Sequence, residues 1–452
     1  MGRLCIVGLD CLTPQLAFEQ FAHLMPTLNS LRHQGLWGTL ESSVPPITVP
    51  AWACMTTGYP PQRLGIYGFR DRIVGSYNEK QFANCLTHFE PYLWDRLSDK
   101  GYESRILSVP LTWPARPLKG KIITGFLTPD DREYASYPRE CLEDLEKLWG
   151  PLQFDVDGFR SGNHAEIVES CIALSNQQTQ IFASWLKNEP WDFAMRVDMG
   201  PDRMHHALWG AMNGPQTHPF KNAMADYYAL IDRQLKQVLE ALGPDDTIMI
   251  VSDHGAQTMQ GAVAINQWLI NEGLLVLKQK PQKGQSLHPH DIDWEQTQAW
   301  GAGGYVGRVY LNVKDREPQG TIEPDQADAF IQDLLEKFSK LQTLEQQSIQ
   351  FQSYVPKRDW PGAQGHPPDL ILDIEDYGYR ALGTIGYASA IQKENDLGED
   401  GANHARHGLF VMHGPHTRHA QLENASLYDV APTVCKYFNL EIPEDWSGKV
   451  LR

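Results

Sequence analysis

Thr247-Ile248-Met249-Ile250-Val251-Ser252-Asp253-His254-Gly255 is a β-branched, apolar run that stops on a carboxylate and an imidazole. A strand covered on both faces reads as continuous rather than alternating hydrophobicity, which is the signature of a central parallel strand. Leu4-Cys5-Ile6-Val7-Gly8-Leu9 repeats the pattern and ends on Asp10. Phe193-Ala194-Met195-Arg196-Val197 repeats it again, with Asp198 and then Asp202 beyond it. Helical patterns lie between, over Leu16 to Gln34, Tyr92 to Lys100, much of 138 to 187, and Asn222 to Leu242, while Leu36 to Leu40 and Ser104 to Val109 read as further strands. Alternating strands and helices predict an α/β fold, a three-layer αβα sandwich around a mostly parallel sheet.

Open sheets of this kind bind ligands beyond the carboxyl ends of their strands. Asp10, Asp202 and the pair Asp253-His254 all fall there. Each has an ordinary alternative, since Asp10 suits a turn or a helix cap and Asp253-His254-Gly255 suits a tight turn.

Val44-Pro-Pro-Ile-Thr48-Val-Pro50-Ala-Trp52-Ala-Cys-Met-Thr-Thr-Gly58 is the second informative stretch. The prolines give an extended approach, Pro50 suits the first turn of a helix, and Gly58 suits its end. Thr48 then stands at the positive end of a short helix, where an anion is favoured. Its hydroxyl is a candidate nucleophile toward phosphorus, and a plain N-cap is the competing reading.

Asp202 and His206 are four residues apart, so one helical face can present both to a cation, and His205 competes for the role. Asn403-His404-Ala405-Arg406-His407-Gly408 brings two more imidazoles, His404 and His407, ahead of the apolar run Leu409-Phe-Val-Met412. Carboxylates mixed with imidazoles are zinc-type ligands, and manganese accepts the same set. Two such sites about 4 Å apart make a clamp for phosphoryl transfer. Three aspartates against two divalent ions leave one net positive charge, which suits a phosphate.

The bulk numbers fit. The chain has 452 residues, 42% of them hydrophobic, and a formal net charge of −17. That charge argues against binding a nucleic-acid polymer, and a small phosphorylated substrate would then have to be drawn in by a local positive site such as metal ions. No apolar run approaches the ~18 residues of a membrane span. The first ten residues lack the pattern of a signal peptide, and the seven scattered cysteines form no C-x-x-C pair. Together these lead to an expectation of reduced thiols in a cytoplasmic protein. Oligomeric state is not readable.

Residues 257–365 are polar and glutamine-rich, with a strand over Arg308 to Val313 and a helix over Asp325 to Leu341. They read as an inserted cap that selects substrate. Residues 1–256 and 366–452 then form the catalytic core, its strand pattern resuming at Asp369-Leu-Ile-Leu372. Tyr428 to Tyr437 reads as a helix on the sheet.

These motifs together resemble the alkaline phosphatase superfamily, and within it the type I phosphodiesterase/nucleotide pyrophosphatase family, especially soluble prokaryotic members. The likeness runs from Gly8-Leu-Asp10 through Pro45-Pro-Ile-Thr48, Pro201-Asp202-Arg-Met-His-His206 and Val251-Ser-Asp253-His254-Gly255 to His404 and Gly408-Leu-Phe-Val-Met-His-Gly-Pro415. The resemblance implies two zinc ions: one on Asp10, Asp253 and His254 with Thr48 against it, the other on Asp202, His206 and His404. It also implies hydrolysis of phosphodiester or nucleotide pyrophosphate bonds through a phosphothreonine at Thr48. The chain departs from the family pattern at Ala51, where an Asn that binds a phosphate oxygen is usual, at Leu64, where a His is usual, and at Ala405, where an Arg often follows the last histidine. Two other readings fit the same residues. One is a phosphomonoesterase or phosphotransferase on this fold, and the other is a metal-bearing protein that binds without catalysis.

Overall fold

The computed structural model describes every residue except 1 and 397. Its main sheet has ten strands. Thr247–Val251, Leu4–Leu9 and Phe193–Asp198 lie side by side and parallel at its centre, with Ser104–Val109 and Gly120–Thr124 continuing the parallel run. Beyond Thr247–Val251 comes His407–His413, antiparallel, and then Leu36–Glu41, antiparallel to that. The α/β sandwich expected from the sequence is therefore present.

Alternation inside the central strands explains the three layers. Cys5, Val7, Leu9, Ile248 and Ile250 point into one core with helices Pro26–Gln34, His164–Asn188, Gly200–Asn213 and Ala223–Leu239. Leu4, Ile6, Met249 and Val251 point into the other, with helices Thr48–Thr57, Leu93–Asp99 and Val430–Tyr437. Both faces need apolar cover, which is why the strands read as continuous runs.

Two expectations are corrected. The helical pattern over Leu16 to Gln34 breaks into two short turns and the helix Pro26–Gln34. Proline has no amide hydrogen and disfavours a helical residue before it, so the helix begins afresh there. Leu370–Ile374 does not rejoin the main sheet but pairs with Gly307–Leu311 and Phe351–Tyr354 in a separate four-stranded sheet. Its five residues are all buried, so hydrophobicity did not distinguish one sheet's interior from the other's. A further small sheet joins Gly261–Ala264 to Tyr379–Leu382 and Ile391–Gln392, and the chain re-enters the main sheet only at His407.

Arg72 ties the loop after Gly58 to this second region through a bidentate pair with Glu317, at 2.9 and 2.6 Å. Tyr77 adds a stack on Trp294, ring centroids 3.6 Å apart.

Candidate metal and nucleophile site

Helix Thr48–Thr57 starts on Thr48 itself, after Ile47 in extended conformation, and ends where Gly58 takes the left-handed φ of 80°. All ten helical residues are buried. The N-cap position falls on Ile47 and not on Thr48, so the N-cap reading fails. Thr48 Oγ1 lies 3.4 Å from Nε2 of His254.

The three neighbouring central strands deliver the acids. Asp10 follows Leu4–Leu9, Asp253 follows Thr247–Val251, and Asp202 sits in the first turn of helix Gly200–Asn213 just past Phe193–Asp198. His206 projects from the next turn of that helix. His404 comes from strand Ala402–Ala405, which pairs with Gly255–Thr258. These five side chains and His254, which follows Asp253, are buried to 1% exposure or less.

Distances divide these groups into two overlapping sets. His206 Nε2 and His404 Nε2 are 3.3 Å apart, and each lies 3.4 Å from Asp202 Oδ1. A tetrahedral site with zinc bonds near 2.0–2.1 Å has ligand atoms about 3.4 Å apart. The three atoms thus form a near-equilateral triangle of the size of one tetrahedral face. His254 Nε2 is 3.1 Å from Asp253 Oδ2, 3.9 Å from Asp10 Oδ1 and 3.4 Å from Thr48 Oγ1. Asp202, His254 and His404 also have ligand atoms within 4.8 Å of one another, so His254 lies between the two sets.

Each imidazole is fixed through its other nitrogen. His206 Nδ1 is 3.0 Å from Asp400 Oδ1, His404 Nδ1 is 2.7 Å from the Pro46 carbonyl, and His254 Nδ1 is 3.2 Å from the Gly255 carbonyl. Each of these acceptors needs an N–H, which assigns the hydrogen to Nδ1 and turns the Nε2 lone pair toward the acids.

One oxygen of each aspartate, Asp10 Oδ1, Asp202 Oδ1 and Asp253 Oδ2, is buried without a hydrogen-bond partner among the described residues. Buried polar atoms are almost always paired, so three such oxygens converging with three lone pairs form a cation-shaped gap in the bonding. The residues fit a pair of divalent ions.

The electrostatics agree. Burial, then the neighbouring Asp253 and Asp202, pushes the Asp10 carboxyl well above the usual range, and burial does the same to Asp253. Burial also lowers His404 to about 4 and drives His254 well below its ordinary value. At Asp202 burial acts upward, but His206, His404 and Arg203 overcome it and hold the group low. Two acids that resist ionising, Asp10 and Asp253, beside two imidazoles that resist protonating, His254 and His404, describe a site short of positive charge.

The structure separates the competing histidines. His205 Nε2 meets the Tyr228 hydroxyl at 2.9 Å, and His407 is exposed at the head of its strand. Ala51 lies buried within helix Thr48–Thr57, and Leu64 ends the turn Pro61–Leu64.

Sequence reading missed the groups around the ligands. Trp52 Nε1 donates to Asp10 Oδ2 at 2.6 Å, and the Cys11 amide donates to Asp253 Oδ1 at 3.1 Å. Trp52 was visible as the residue one turn after Thr48. Asp400 holds His206 and is itself held by Arg160 at 2.7 Å and Arg380 at 2.5 Å. Tyr305 stacks on His404 with centroids 3.5 Å apart and brings its hydroxyl to 3.1 Å from His206 Nε2. Residues spread from 160 to 400 carry no local pattern that links them.

The model of the type I phosphodiesterase / nucleotide pyrophosphatase family matches residues 4–410. Solved structures that share the fold include the following three. Human ectonucleotide pyrophosphatase / phosphodiesterase 5 is 14% identical, with 98% of this chain and 97% of that chain covered and a TM-score of 0.58. Phosphonoacetate hydrolase from Sinorhizobium meliloti 1021, in complex with phosphonoformate, is 16% identical, with 96% and 95% covered and a TM-score of 0.62. An inactive variant of the murine ectonucleotide pyrophosphatase / phosphodiesterase 5, in complex with AMP, is 12% identical, with 99% and 98% covered and a TM-score of 0.60. No curated protein sequence matches the chain. With its family model matching residues 4–410 of the chain, the chain belongs to the type I phosphodiesterase / nucleotide pyrophosphatase family.

Proposed function

We propose that the protein is a two-metal phosphoryl hydrolase that cleaves phosphodiester or nucleotide pyrophosphate bonds through a covalent phosphothreonine at Thr48. The observation that carries this reading is the triangle of Asp202, His206 and His404 donor atoms beside a Thr48 hydroxyl 3.4 Å from His254. Asp10, Asp253 and His254 would hold one ion and Asp202, His206 and His404 the other. Zinc is the preferred metal for this mixed nitrogen and oxygen set, and manganese is the alternative. Bound there, the ions supply the positive charge that favours the Thr48 alkoxide and balances a phosphate.

Thr48 does the covalent work. Its Oγ1 attacks phosphorus in line, and the Oγ1–phosphorus bond forms as the bond to the leaving oxygen breaks. Water then breaks the Oγ1–phosphorus bond and regenerates the hydroxyl. Burial of helix Thr48–Thr57 and the Trp52–Asp10 bond hold Oγ1 in place, so little reorganisation is needed at attack. The helix N-terminus adds partial positive charge on the same side.

We place the protein in the cytoplasm. All seven cysteines are buried and unbridged, which agrees with a reducing compartment. Among the described residues no helix is long and apolar enough to cross a membrane.

The test compares bis-p-nitrophenyl phosphate with p-nitrophenyl phosphate, with zinc or manganese, on wild type and Thr48→Ala. Diester turnover that the substitution abolishes is expected. Equal turnover by Thr48→Ala would exclude the phosphothreonine, monoester preference would favour the phosphomonoesterase, and inert protein with bound metal would favour a binding role.

A further inference from the structure

A buried phenol stands beside the donor triangle of Asp202, His206 and His404. Tyr305 lies in the turn between strands Ala299–Ala302 and Gly307–Leu311 and is 6% exposed. Its ring lies flat on His404, centroids 3.5 Å apart and planes 18° from parallel. Arg160 fixes the other end, donating Nη2–H to the Tyr305 oxygen at 2.9 Å and Nε–H to Asp400 Oδ2 at 2.7 Å.

Donor counting then locates the phenol hydrogen. A guanidinium only donates, so the Tyr305 oxygen is the acceptor toward Arg160 and its own hydrogen must point elsewhere. The acceptor it faces is His206 Nε2, 3.1 Å away. That nitrogen keeps a lone pair because its partner Nδ1–H is directed at Asp400. It is also one corner of the donor triangle. Once that lone pair is committed to a cation, the phenol hydrogen is free to serve an oxygen that approaches the donor triangle of Asp202, His206 and His404, of which His206 is 3.1 Å away.

We propose that Tyr305, oriented by Arg160 and by its stack on His404, is a substrate-contacting residue that donates a hydrogen bond to the phosphoryl or leaving-group oxygen of the bound phosphate ester. This rests on the two-metal reading above. It assigns a role at the site to a residue that lies far in sequence from helix Thr48–Thr57. A preorganised donor of this kind acts on charge that grows in the transition state, in a site from which water is excluded.

The experiment uses zinc-loaded full-length protein with the Tyr305→Phe substitution, which removes only the hydroxyl. Metal content by elemental analysis is expected to remain that of the wild type. Orthovanadate binding, followed by calorimetry, should weaken at least about 10-fold, and kcat for bis-p-nitrophenyl phosphate should fall on the order of 10²-fold with KM little changed. Arg160→Lys, whose compact ammonium lacks the fork by which Nε and Nη2 reach Asp400 and Tyr305 separately, should reproduce the pattern in milder form and covers the case in which Tyr305→Phe does not fold.

Unchanged vanadate affinity and unchanged kcat would overturn the proposal. Loss of one metal ion from Tyr305→Phe would also overturn it, because the phenol would then be holding metal rather than substrate. If the wild type hydrolyses no ester at all, the hydrolase reading fails, and the vanadate comparison still decides the role of Tyr305.

Discussion

Trp52 donates its indole N–H to Asp10 Oδ2 across 2.6 Å, fastening the helix that carries Thr48 to the acid at the end of a central strand. The contact needs room. A Cβ at Gly8 would come within 2.5 Å of the Trp52 ring, so glycine in the strand lets the indole lie against the sheet and reach Asp10. Thr48 and Trp52 are one helical turn apart, and a single rigid helix therefore sets the nucleophile relative to a candidate ligand.

Trp52→Phe keeps the ring and leaves that carboxylate oxygen without its donor. Loss of a hydrogen bond to a charged buried group costs about 1.5–3 kcal/mol. Zinc affinity, measured by competition with a chromogenic chelator, should drop roughly 10-fold, as for other groups that orient metal ligands. Unaltered affinity would mean that Trp52 only fills space.

Asp400→Asn should weaken metal binding by about 10–100-fold. The carboxylate takes the His206 Nδ1–H and balances Arg160 and Arg380, whose effect with His206 is to hold it well below the usual range even though burial opposes them. An amide retains an acceptor for His206 but leaves two guanidinium groups unbalanced. A zinc titration of the purified variant checks this, with thermal melting as a control for folding.

Removing metal should lower stability as well as activity. A ligand present at about 100 times its Kd contributes roughly 2.7 kcal/mol to the folded state. Dialysis against a strong chelator is thus expected to lower Tm by several degrees, and added zinc should restore it. A melting curve indifferent to chelator would contradict a resident metal.

Glu317→Ala tests how the second region is anchored. Arg72 and Glu317 form a bidentate pair with side chains 8% and 0% exposed. Removing one member strands a buried charge, at a cost of about 3–5 kcal/mol. Urea denaturation should register that loss, whereas a change below about 1 kcal/mol would put the pair in the class of surface ion pairs.

Asp71 gives a pH dependence with a definite sign. Burial pushes its carboxyl up to about 6, with Arg308 and the Tyr67 amide acting against it. The folded chain therefore keeps a proton that the unfolded chain releases from about pH 4 upward, so this group's contribution to stability is lost as pH rises from about 4 to 6. Asp71→Asn abolishes the titration. The variant's Tm relative to wild type should climb across that window and level off above it.

The strands could be read from the sequence because burial on both faces leaves an unbroken apolar run, as in Leu4–Leu9 and Thr247–Val251. Strand ends also exposed Asp10 and Asp253, and the four-residue spacing of Asp202 and His206 marked one helical face. Local pattern did not distinguish His205 from His206, or His404 from His407, since adjacent imidazoles differ only in where the packed helix or strand turns them. It also sent Leu370–Ile374 to the wrong sheet, because a buried run does not encode its partner strand. Trp52, Asp400, Arg160 and Tyr305 became part of the site only through folding. The contacts of Trp52, Tyr305 and Asp400 with Asp10, His206 and His404 span 42 to 194 positions of chain, Arg160 reaches Asp400 across 240, and no short-range rule of spacing carries that information.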